Sequence, residues 1–340
     1  MIKVDNLVKK YGNHVAVDHL SFEVQKGQIY GFLGPNGAGK TTTMNIMTGY
    51  LAATEGTVEI CGFDMFEQPE EAKRHIGYLP EVPPLYLDMT VLEYLQFVAE
   101  LKKVTKTGRK EQIQEIMRMV GLSGMENRLL RNLSKGYKQR AGLAQAMIGY
   151  PEVLILDEPM VGLDPREILE IRTLLQKLTG EHTILLSSHI LSEVDTICDH
   201  IMIIAKGGLV ASDSPAGLRK LMVRSAEIEM TVCGSREEAE ALLEGMEHIG
   251  SYTFEKATEE NSIQVRILTE DSTDIRSTLS VAFTSHNMPV LSMNRVEKSL
   301  EDIFLQLTET PEQEAEALEQ ETLEQEIDIE EEEKENGGNL

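Results

Sequence analysis

The chain of 340 residues is long enough for two domains, since a domain usually holds roughly 100 to 200 residues. Its hydrophobic share of 41% and charged share of 26% are typical of a globular protein, and no apolar run approaches the roughly 18 residues that a membrane span needs. The net charge of -25 is unevenly spread, because the residues from Glu309 onward hold fourteen acidic side chains against one lysine. These features exclude a membrane-spanning chain and argue against nucleic acid as a ligand.

The two ends of the chain and its cysteines indicate a compartment. The opening residues, MIKVDNLVKKYG, contain no apolar signal region, and the cysteines at 61, 198 and 233 lack metal-ligand spacing. We therefore expect a cytoplasmic protein. The acidic tail, 309–340, has no aromatic residue and too few apolar residues to offset the entropy cost of ordering. We expect it to be disordered or a frayed helix.

Short apolar strands alternate with helical segments over the first 220 residues, which is typical of an α/β fold around a partly parallel sheet. From Thr90 to about Gln145 the periodicity is helical, as in VLEYLQFVAELKK and EQIQEIMRMVGL, and it predicts a helical insertion. The predicted strands are Gln28–Leu33, Ile76–Leu79, Val153–Asp157, His182–Leu186 and His200–Ala205.

The pattern changes beyond residue 220. Strand, helix, strand, strand, helix and strand follow one another, from SAEIEMTV to MPVLSMNRV, which is the order of a ferredoxin-like βαββαβ unit. We therefore predict an α/β domain over 1–220 with a helical subdomain at about 90–145. A small α+β accessory domain over 221–308 and the acidic tail over 309–340 follow it.

The stretch FLGPNGAGKTT follows the first predicted strand and precedes a helix. Its residues Gly34, Gly39, Lys40 and Thr41 fit the pattern G-x-x-x-x-G-K-S/T. Such a loop wraps backbone N–H groups around phosphates, while the lysine binds phosphate and the hydroxyl binds magnesium. An ordinary strand-to-helix turn would need a glycine but would have no use for Lys-Thr at these offsets. The loop therefore predicts nucleotide binding.

A second motif, PEVLILDEPMVGLDP, contains an apolar strand that ends at two adjacent carboxylates. Buried carboxylates need a partner for their charge, and magnesium supplies one. Asp157 is placed to bind the metal directly or through water, and Glu158 to polarise an attacking water. The alternative is a strand end that faces solvent.

Three further elements gain weight only in combination with these motifs. In LSKGYKQR, Ser134 and Gly136 precede a helix whose positive end suits an anion, although Ser134 is also a plausible N-cap. In TILLSSHILSEVD, His189 follows a buried strand and could reach a terminal phosphate; a cap or a surface position is the alternative. Tyr11 could stack on a base, or it could be an ordinary core or surface residue.

With these motifs in this order and at these separations, the chain resembles the nucleotide-binding subunit of an ATP-binding cassette (ABC) transporter over residues 1–220. The resemblance implies ATP and Mg²⁺ as ligands, with Glu158 and His189 as the catalytic residues. It assigns the metal to Thr41, Glu81 and Asp157. The nucleotide-binding residues that it implies are Tyr11, Gly34, Pro35, Asn36, Gly37, Ala38, Gly39, Lys40, Thr41, Thr42, Glu81, Ser134, Gly136, Asp157 and Asp164.

The family forms a head-to-tail dimer in which the signature of one subunit, here Leu133 to Gln139, completes the nucleotide site of the other. If this transfers, Ser134 and Gly136 act in trans, and Asp164 matches the loop that contacts the partner subunit. Two departures stand out. Glu81 replaces the usual glutamine, which adds negative charge near the γ-phosphate. The signature reads Lys-Gly-Tyr at 135–137, for which we expect retained but slower hydrolysis.

The resemblance predicts an ATPase that powers export through a separate membrane permease at the inner face of the cell membrane. The ending VEKSLEDIFLQLT, 296–308, resembles a segment of cassettes that serve small multidrug, antibiotic or polysaccharide exporters. Two alternatives remain open at this point. The chain could be a soluble cassette protein that acts on ribosomes or DNA, or a regulatory subunit that binds ATP with little turnover; the presence of Glu158 argues against the second.

Overall fold

The computed structural model describes residues 1–221, 227–257, 261–270, 273–296 and 304, without the side chains of residues 221 and 256. Over the first 221 residues the elements are β1 (Ile2–Tyr11), β2 (His14–Val24), β3 (Ile29–Leu33), α1 (Lys40–Met47), β4 (Glu55–Ile60), β5 (Phe63–Asp64), α2 (Pro69–Arg74), β6 (Ile76–Leu79), α3 (Val91–Leu101), α4 (Lys106–Met119), a short 3₁₀ helix (Leu130–Asn132), α5 (Lys135–Met147), β7 (Val153–Leu156), α6 (Pro165–Leu178), β8 (Thr183–Ser188), α7 (Leu191–Ile197), β9 (His200–Ala205), β10 (Gly208–Asp213) and α8 (Pro215–Leu221).

Two sheets form this part of the molecule. A six-stranded sheet has the order β10-β9-β3-β8-β7-β6, in which only the β9–β10 pair is antiparallel. A separate antiparallel sheet has the order β2-β1-β4-β5. The five strands that the sequence predicts are all present, with ends within two residues of the prediction. The predicted α/β class with a mixed sheet is therefore confirmed.

The six-stranded sheet is buried on both faces, as near-continuous apolar strands predict. On β7, Leu154 and Leu156 pack into a core shared with α3 to α7. The alternate residues Val153 and Ile155 pack into a second core, which α1 and the antiparallel sheet complete. The sheet is thus packed on both faces, and this packing holds the ends of its strands in place.

The predicted helical insertion is also present, as α3, α4 and the helix that opens at the signature, α5. Helix α3 begins at Thr90 with a capping box, because Thr90 accepts a hydrogen bond from the backbone N–H of Glu93 and Glu93 accepts one from that of Thr90. Helix α5 begins after Ser134, whose hydroxyl accepts from the Tyr137 N–H at 3.3 Å. The N-cap reading of Ser134 therefore holds within a single subunit.

The remaining described elements are β11 (Glu227–Cys233), α9 (Arg236–Leu243), β12 (Ile249–Lys256), β13 (Ser262–Thr269), α10 (Arg276–Ser285) and β14 (Val290–Val296). Their sheet is antiparallel throughout, with the order β12-β13-β11-β14, and one of its faces packs with α9 and α10 around a core of its own. This is the ferredoxin-like arrangement that the order of elements predicts. Phe304 packs against the core that α3 to α7 share with the six-stranded sheet.

The acidic tail and most of the segment 296–308 lie outside the described residues. The domain boundaries at 220 and 308 therefore stay predictions. Over the ranges that the structure does describe, no helix is long and apolar enough to cross a bilayer.

Candidate active site

Four parallel strands end at one edge of the six-stranded sheet. Leu79 of β6 pairs with Leu156 of β7, and Leu156 pairs in turn with Leu186 of β8. Leu33 of β3 pairs with Ser188 of β8. In open α/β sheets, ligands bind outside the carboxyl ends of the strands. The segments that leave the sheet here carry the predicted site residues of 34–42, 81, 157–158 and 189.

The phosphate loop runs from the end of β3 to the first residue of α1. A Cβ on Gly34 would lie 2.5 Å from the carbonyl oxygen of Ile204, so no larger residue fits there. Gly39 has a φ of 101°, in the left-handed region, and a Cβ on it would lie 2.5 Å from the carbonyl oxygen of Ala16. Both glycines are thus required by the turn that aims the N-terminus of α1 at the cavity.

Lys40 lies under this loop and is only 7% exposed. Its ammonium donates to the carbonyl oxygens of Gly34 at 2.6 Å and Pro35 at 3.3 Å, and it lies 3.9 Å from Oε1 of Glu158. Burial lowers the pKa of the lysine, while the nearby carboxylates, Glu158 foremost, act in the opposite direction. The arrangement places a cation where phosphate charge would arrive.

Asp157 follows β7 and is 1% exposed. Its Oδ1 accepts a hydrogen bond from the Ser187 hydroxyl at 2.6 Å, but its Oδ2 is buried without a hydrogen-bond partner among the described residues. A buried carboxylate oxygen without a donor suits a cation. Asp157, Thr41 and Glu81 line the same cavity, and hard oxygen donors of this kind are what Mg²⁺ binds.

This donor set fits a metal that is also held by a nucleotide. In the described part of the chain, no group of three or more His, Cys, Asp or Glu side chains could hold a metal ion. Magnesium in nucleotide sites is usually bound through one or two carboxylates, with phosphate oxygens and water completing its shell. The residues present match that mode and not an all-protein metal site.

Glu158 has a φ of 49°, an uncommon left-handed conformation for a residue other than glycine. Its N–H donates to the Ser187 hydroxyl at 2.8 Å, which fixes this backbone. Its side chain, 9% exposed, has Oε2 at 3.0 Å from Nδ1 of His189. The carboxylate thus has Oε1 near the ammonium of Lys40 and Oε2 against the ring of His189.

A cavity of about 400 Å³ opens over these groups. Its lining includes eleven of the predicted site residues: Tyr11, Pro35, Asn36, Gly37, Gly39, Lys40, Thr41, Thr42, Glu81, Glu158 and His189. Gly34 and Ala38 shape the loop from behind, since the Ala38 carbonyl accepts from the N–H of Gly207. Asp157 borders the neighbouring cavity together with Thr41 and Glu81. Tyr11 is half-exposed at the rim, with the ammonium of Lys9 at 5.1 Å from its ring centroid.

Three predicted residues, Ser134, Gly136 and Asp164, border neither of these two cavities. Ser134 caps α5, and Asp164 caps α6 by accepting from the Glu167 N–H at 2.8 Å. The Glu167 carboxylate also occupies the space beside Gly136 where a Cβ would lie. Within one subunit, the signature and the loop at Asp164 thus adjoin each other, and none of these three residues lines the cavity over the phosphate loop.

Sequence reasoning did not single out four residues that the structure places at the site. His14, Ala16 and Val161 line the cavity; Val161 lies within the motif PEVLILDEPMVGLDP, but an apolar side chain there does not by itself indicate a ligand. Ser187 bridges Asp157 and Glu158. It lies two residues before His189, in a strand whose sequence indicates burial and nothing more. Its contacts with Asp157 and Glu158 follow from the pairing of β7 with β8.

Comparisons with known proteins agree with this geometry. Residues 17–161 match the family model described as ABC transporter. The chain is 38% identical to the bacitracin transport ATP-binding protein BcrA of Bacillus licheniformis, over 90% of this chain and 97% of the relative. It is 31% identical to the linearmycin resistance ATP-binding protein LnrL of Bacillus subtilis, over 91% of this chain and 98% of that protein.

The chain belongs to the ABC transporter ATP-binding proteins. A solved ATP-binding subunit of an ABC transporter is 28% identical, with a TM-score of 0.61 over 65% of this chain and 92% of its own. A dimeric bacterial ABC transporter cassette is 25% identical, with a TM-score of 0.59 over 63% of this chain and 99% of its own. The same cassette has been solved in a post-hydrolysis state with ADP and Pi.

The predicted activity is confirmed by this membership. The chain is an ATPase of the ABC type, and ATP with Mg²⁺ is its ligand. As an ATP-binding subunit it works with a membrane permease, and its solved relatives include dimeric cassettes.

Proposed function

We propose that this chain binds and hydrolyses ATP in the 400 Å³ cavity and thereby drives export of a small molecule through a separate permease. The observation that carries the proposal is the convergence of a buried cation, a buried carboxylate and an imidazole, Lys40, Glu158 and His189, at the mouth of the phosphate loop. Relatives named for bacitracin transport and linearmycin resistance support a role in transport.

The phosphate loop and Lys40 bind the phosphates. The N–H groups at the start of α1 and the helix dipole favour an anion at that position, and the lysine adds a full charge in a site with little water. Thr41, Asp157 and Glu81 hold magnesium, which neutralises phosphate charge when it is bound. Tyr11 stacks on the base from the rim.

Hydrolysis falls to Glu158. Its carboxylate orients the attacking water and accepts its proton, a contribution of roughly 10² to 10⁴ in rate for a positioned base. His189, at 3.0 Å from that carboxylate, fixes its orientation and reaches toward the γ-phosphate. The left-handed backbone at Glu158 is the local strain that keeps the side chain directed into the cavity.

Ser134, Gly136 and Asp164 act across a head-to-tail dimer. None of the three lines the ATP cavity of its own subunit, which supports this role. The start of α5 would then contact a nucleotide that the other subunit binds. The dimeric relative supports it as well. Two ATP molecules bound between two subunits would each contact a phosphate loop and an opposing signature.

The permease docks at a second cavity, of about 750 Å³, that borders both the sheet edge and the helical insertion. Its lining is largely apolar, and Tyr50 and Val82 at its edge are 82% and 79% exposed. Thr41, Glu81 and Asp157 line it too, so a docked segment would lie directly behind the metal site. Such docking places the chain at the cytoplasmic face of the membrane.

ATP turnover by the purified chain tests the proposed hydrolysis. We expect turnover that depends on Mg²⁺; a chain that binds ATP without turnover would contradict hydrolysis and favour a regulatory subunit.

Isolation of the chain from a detergent extract tests the proposed permease. We expect a polytopic membrane protein to copurify with it, and Val82→Asp should abolish copurification while turnover is retained. Copurification with ribosomes instead would overturn the transport role.

A further inference from the structure

Glu193 is a buried acidic residue that takes no part in the proposed steps of ATP binding and hydrolysis. It lies in the first turn of α7 and is 6% exposed. Its Oε2 accepts a hydrogen bond from the Ser188 hydroxyl at 3.0 Å. Because burying a carboxylate is costly, an apolar residue would serve packing better at this position.

The Ser188 hydroxyl links Glu193 to both sides of His189. Ser188 precedes the histidine, and its Oγ accepts a hydrogen bond from the N–H of Ile190, which follows it, at 3.0 Å. The single hydroxyl proton of Ser188 has two acceptors within reach, the Ile190 carbonyl oxygen at 3.3 Å and Oε2 of Glu193 at 3.0 Å. The shorter contact completes a chain of hydrogen bonds from the Ile190 N–H through Ser188 to Glu193. They fix the backbone around His189, whose ring is itself 41% exposed and has only Glu158 as its polar contact among the described residues.

The groups around Glu193 shift its pKa in both directions. Burial raises the pKa of Glu193 and the charge of Glu158 adds to the rise, whereas the hydrogen bond from Ser188 and the positive charges of Arg172 and His189 act against it. Arg172 belongs to α6, and its Nε is buried without a hydrogen-bond partner in the ranges that the structure describes. Glu193 therefore joins α7 to the end of β8 through Ser188, and the charge of Arg172 on α6 acts on it without an ion pair among the described residues.

We propose that Glu193 is a positioning residue for ATP hydrolysis. Through the Ser188 hydroxyl it holds the backbone on both sides of His189, so that the imidazole stays against the Glu158 carboxylate. The inference rests on the proposed roles of Glu158 and His189. It assigns no contact between Glu193 and the nucleotide.

Steady-state kinetics supply the first test. Glu193→Ala should lower kcat roughly tenfold, the effect of one hydrogen bond to a charged group, with KM for ATP changed by less than about twofold. Glu193→Gln, whose amide oxygen can still accept from Ser188, should keep most of the parent rate. Asp195→Asn is the matched control, because this carboxylate lies on the same helix but binds Arg219. A parent-like kcat in Glu193→Ala would overturn the proposal.

A double-mutant comparison separates positioning from a general loss of stability. In a His189→Gln background, Glu193→Ala should cause no further decrease in kcat, since its effect passes through the histidine. Independent, multiplicative losses would refute the proposal. Should Glu193→Ala fail to fold, Ser188→Ala, which deletes one oxygen, must reproduce the tenfold loss.

A third readout does not depend on turnover. In the nucleotide-free protein the ring signals of the eight histidines can be followed by NMR, with His189→Gln identifying that of His189. The His189 signal should move in Glu193→Ala and in Ser188→Ala but not in Asp195→Asn. An unmoved signal overturns the positioning role. If instead it moves while the parent chain hydrolyses no ATP, the proposed function fails and the contact stands.

Discussion

At the scale of single residues, Lys40 is the side chain on which nucleotide binding depends most. It is the one side-chain cation among the residues that line the cavity, and it is already desolvated, so its attraction to phosphate is weakly screened. Its two carbonyl contacts fix the ammonium beneath the loop. The lysine is thus preorganised for an anion and needs no rearrangement to bind one.

We expect Lys40→Ala to raise the Kd for Mg-ATP by tenfold or more, because a charge-assisted hydrogen bond contributes about 1.5 to 3 kcal/mol. Titration with a fluorescent ATP analogue measures the change. Lys26→Ala is the control, since Lys26 is exposed and lies outside the cavity. An unchanged Kd in Lys40→Ala would refute the assignment of the phosphate loop.

The residues that the sequence indicated are those whose chemistry is unusual for their position. A lysine inside a glycine loop and two carboxylates after an apolar strand each suggest a charged ligand. Ser187 gives no such signal, because a serine at the end of a buried strand is common. Only the parallel register, with Leu156 opposite Leu186, brings its hydroxyl to Asp157. Spacing along the chain does not contain that information.

At the scale of elements, the sequence predicted the parallel strands well and the N-terminal antiparallel sheet poorly. Strands buried on both faces are continuous apolar runs, which stand out. Strands β1 and β2 are buried on one face only, and their pairing shifts register between Val4 and Leu7 and again near Lys9. Such bulges break the alternation of apolar and polar residues on which strand prediction depends.

Lys102 joins two elements of the helical insertion. It follows α3, and its ammonium donates to the carbonyl oxygens of Gln145, Ala146 and Ile148 at the end of α5. The last carbonyls of a helix have no partner within it, and a cation there also suits the helix dipole. This contact fixes α3 against the helix that begins at the signature.

We expect Lys102→Met to lower the free energy of unfolding by about 0.5 to 1.5 kcal/mol, because three carbonyl groups at the end of α5, two of them part-buried, lose their donor. Urea unfolding followed by circular dichroism measures it. Lys103→Met should change stability little, since Lys103 is exposed and makes no side-chain hydrogen bond within the described ranges. Equal effects of the two substitutions would show that the carbonyl contacts are unimportant.

At the scale of the whole molecule, Phe304 lies beyond the sheet of β11 to β14 in the sequence and packs against the core that α3 to α7 share with the six-stranded sheet. We expect truncation after Thr308 to leave folding and basal hydrolysis intact, because the removed segment is highly charged and contributes little apolar surface. Loss of soluble protein on truncation after Thr308 would show that the acidic tail packs.

Truncation after Val296 also removes Phe304 and should lower the Tm.

The central claim is that two copies of this chain close over ATP and that Glu158 then hydrolyses it. Glu158→Gln keeps the shape of the side chain but removes its basicity, so hydrolysis should slow by roughly 10² to 10⁴ while Lys40, Thr41 and Asp157 still hold Mg-ATP. The closed dimer should then accumulate. Ser134→Arg in the same chain places a bulky cation at the signature and should prevent closure.

The most direct test is the molar mass of Glu158→Gln, measured by light scattering with and without Mg-ATP. The predicted result is a monomer of about 38 kDa without nucleotide, a dimer with Mg-ATP, and a monomer under both conditions for the double variant with Ser134→Arg. A Glu158→Gln chain that stays monomeric at saturating Mg-ATP would contradict the account.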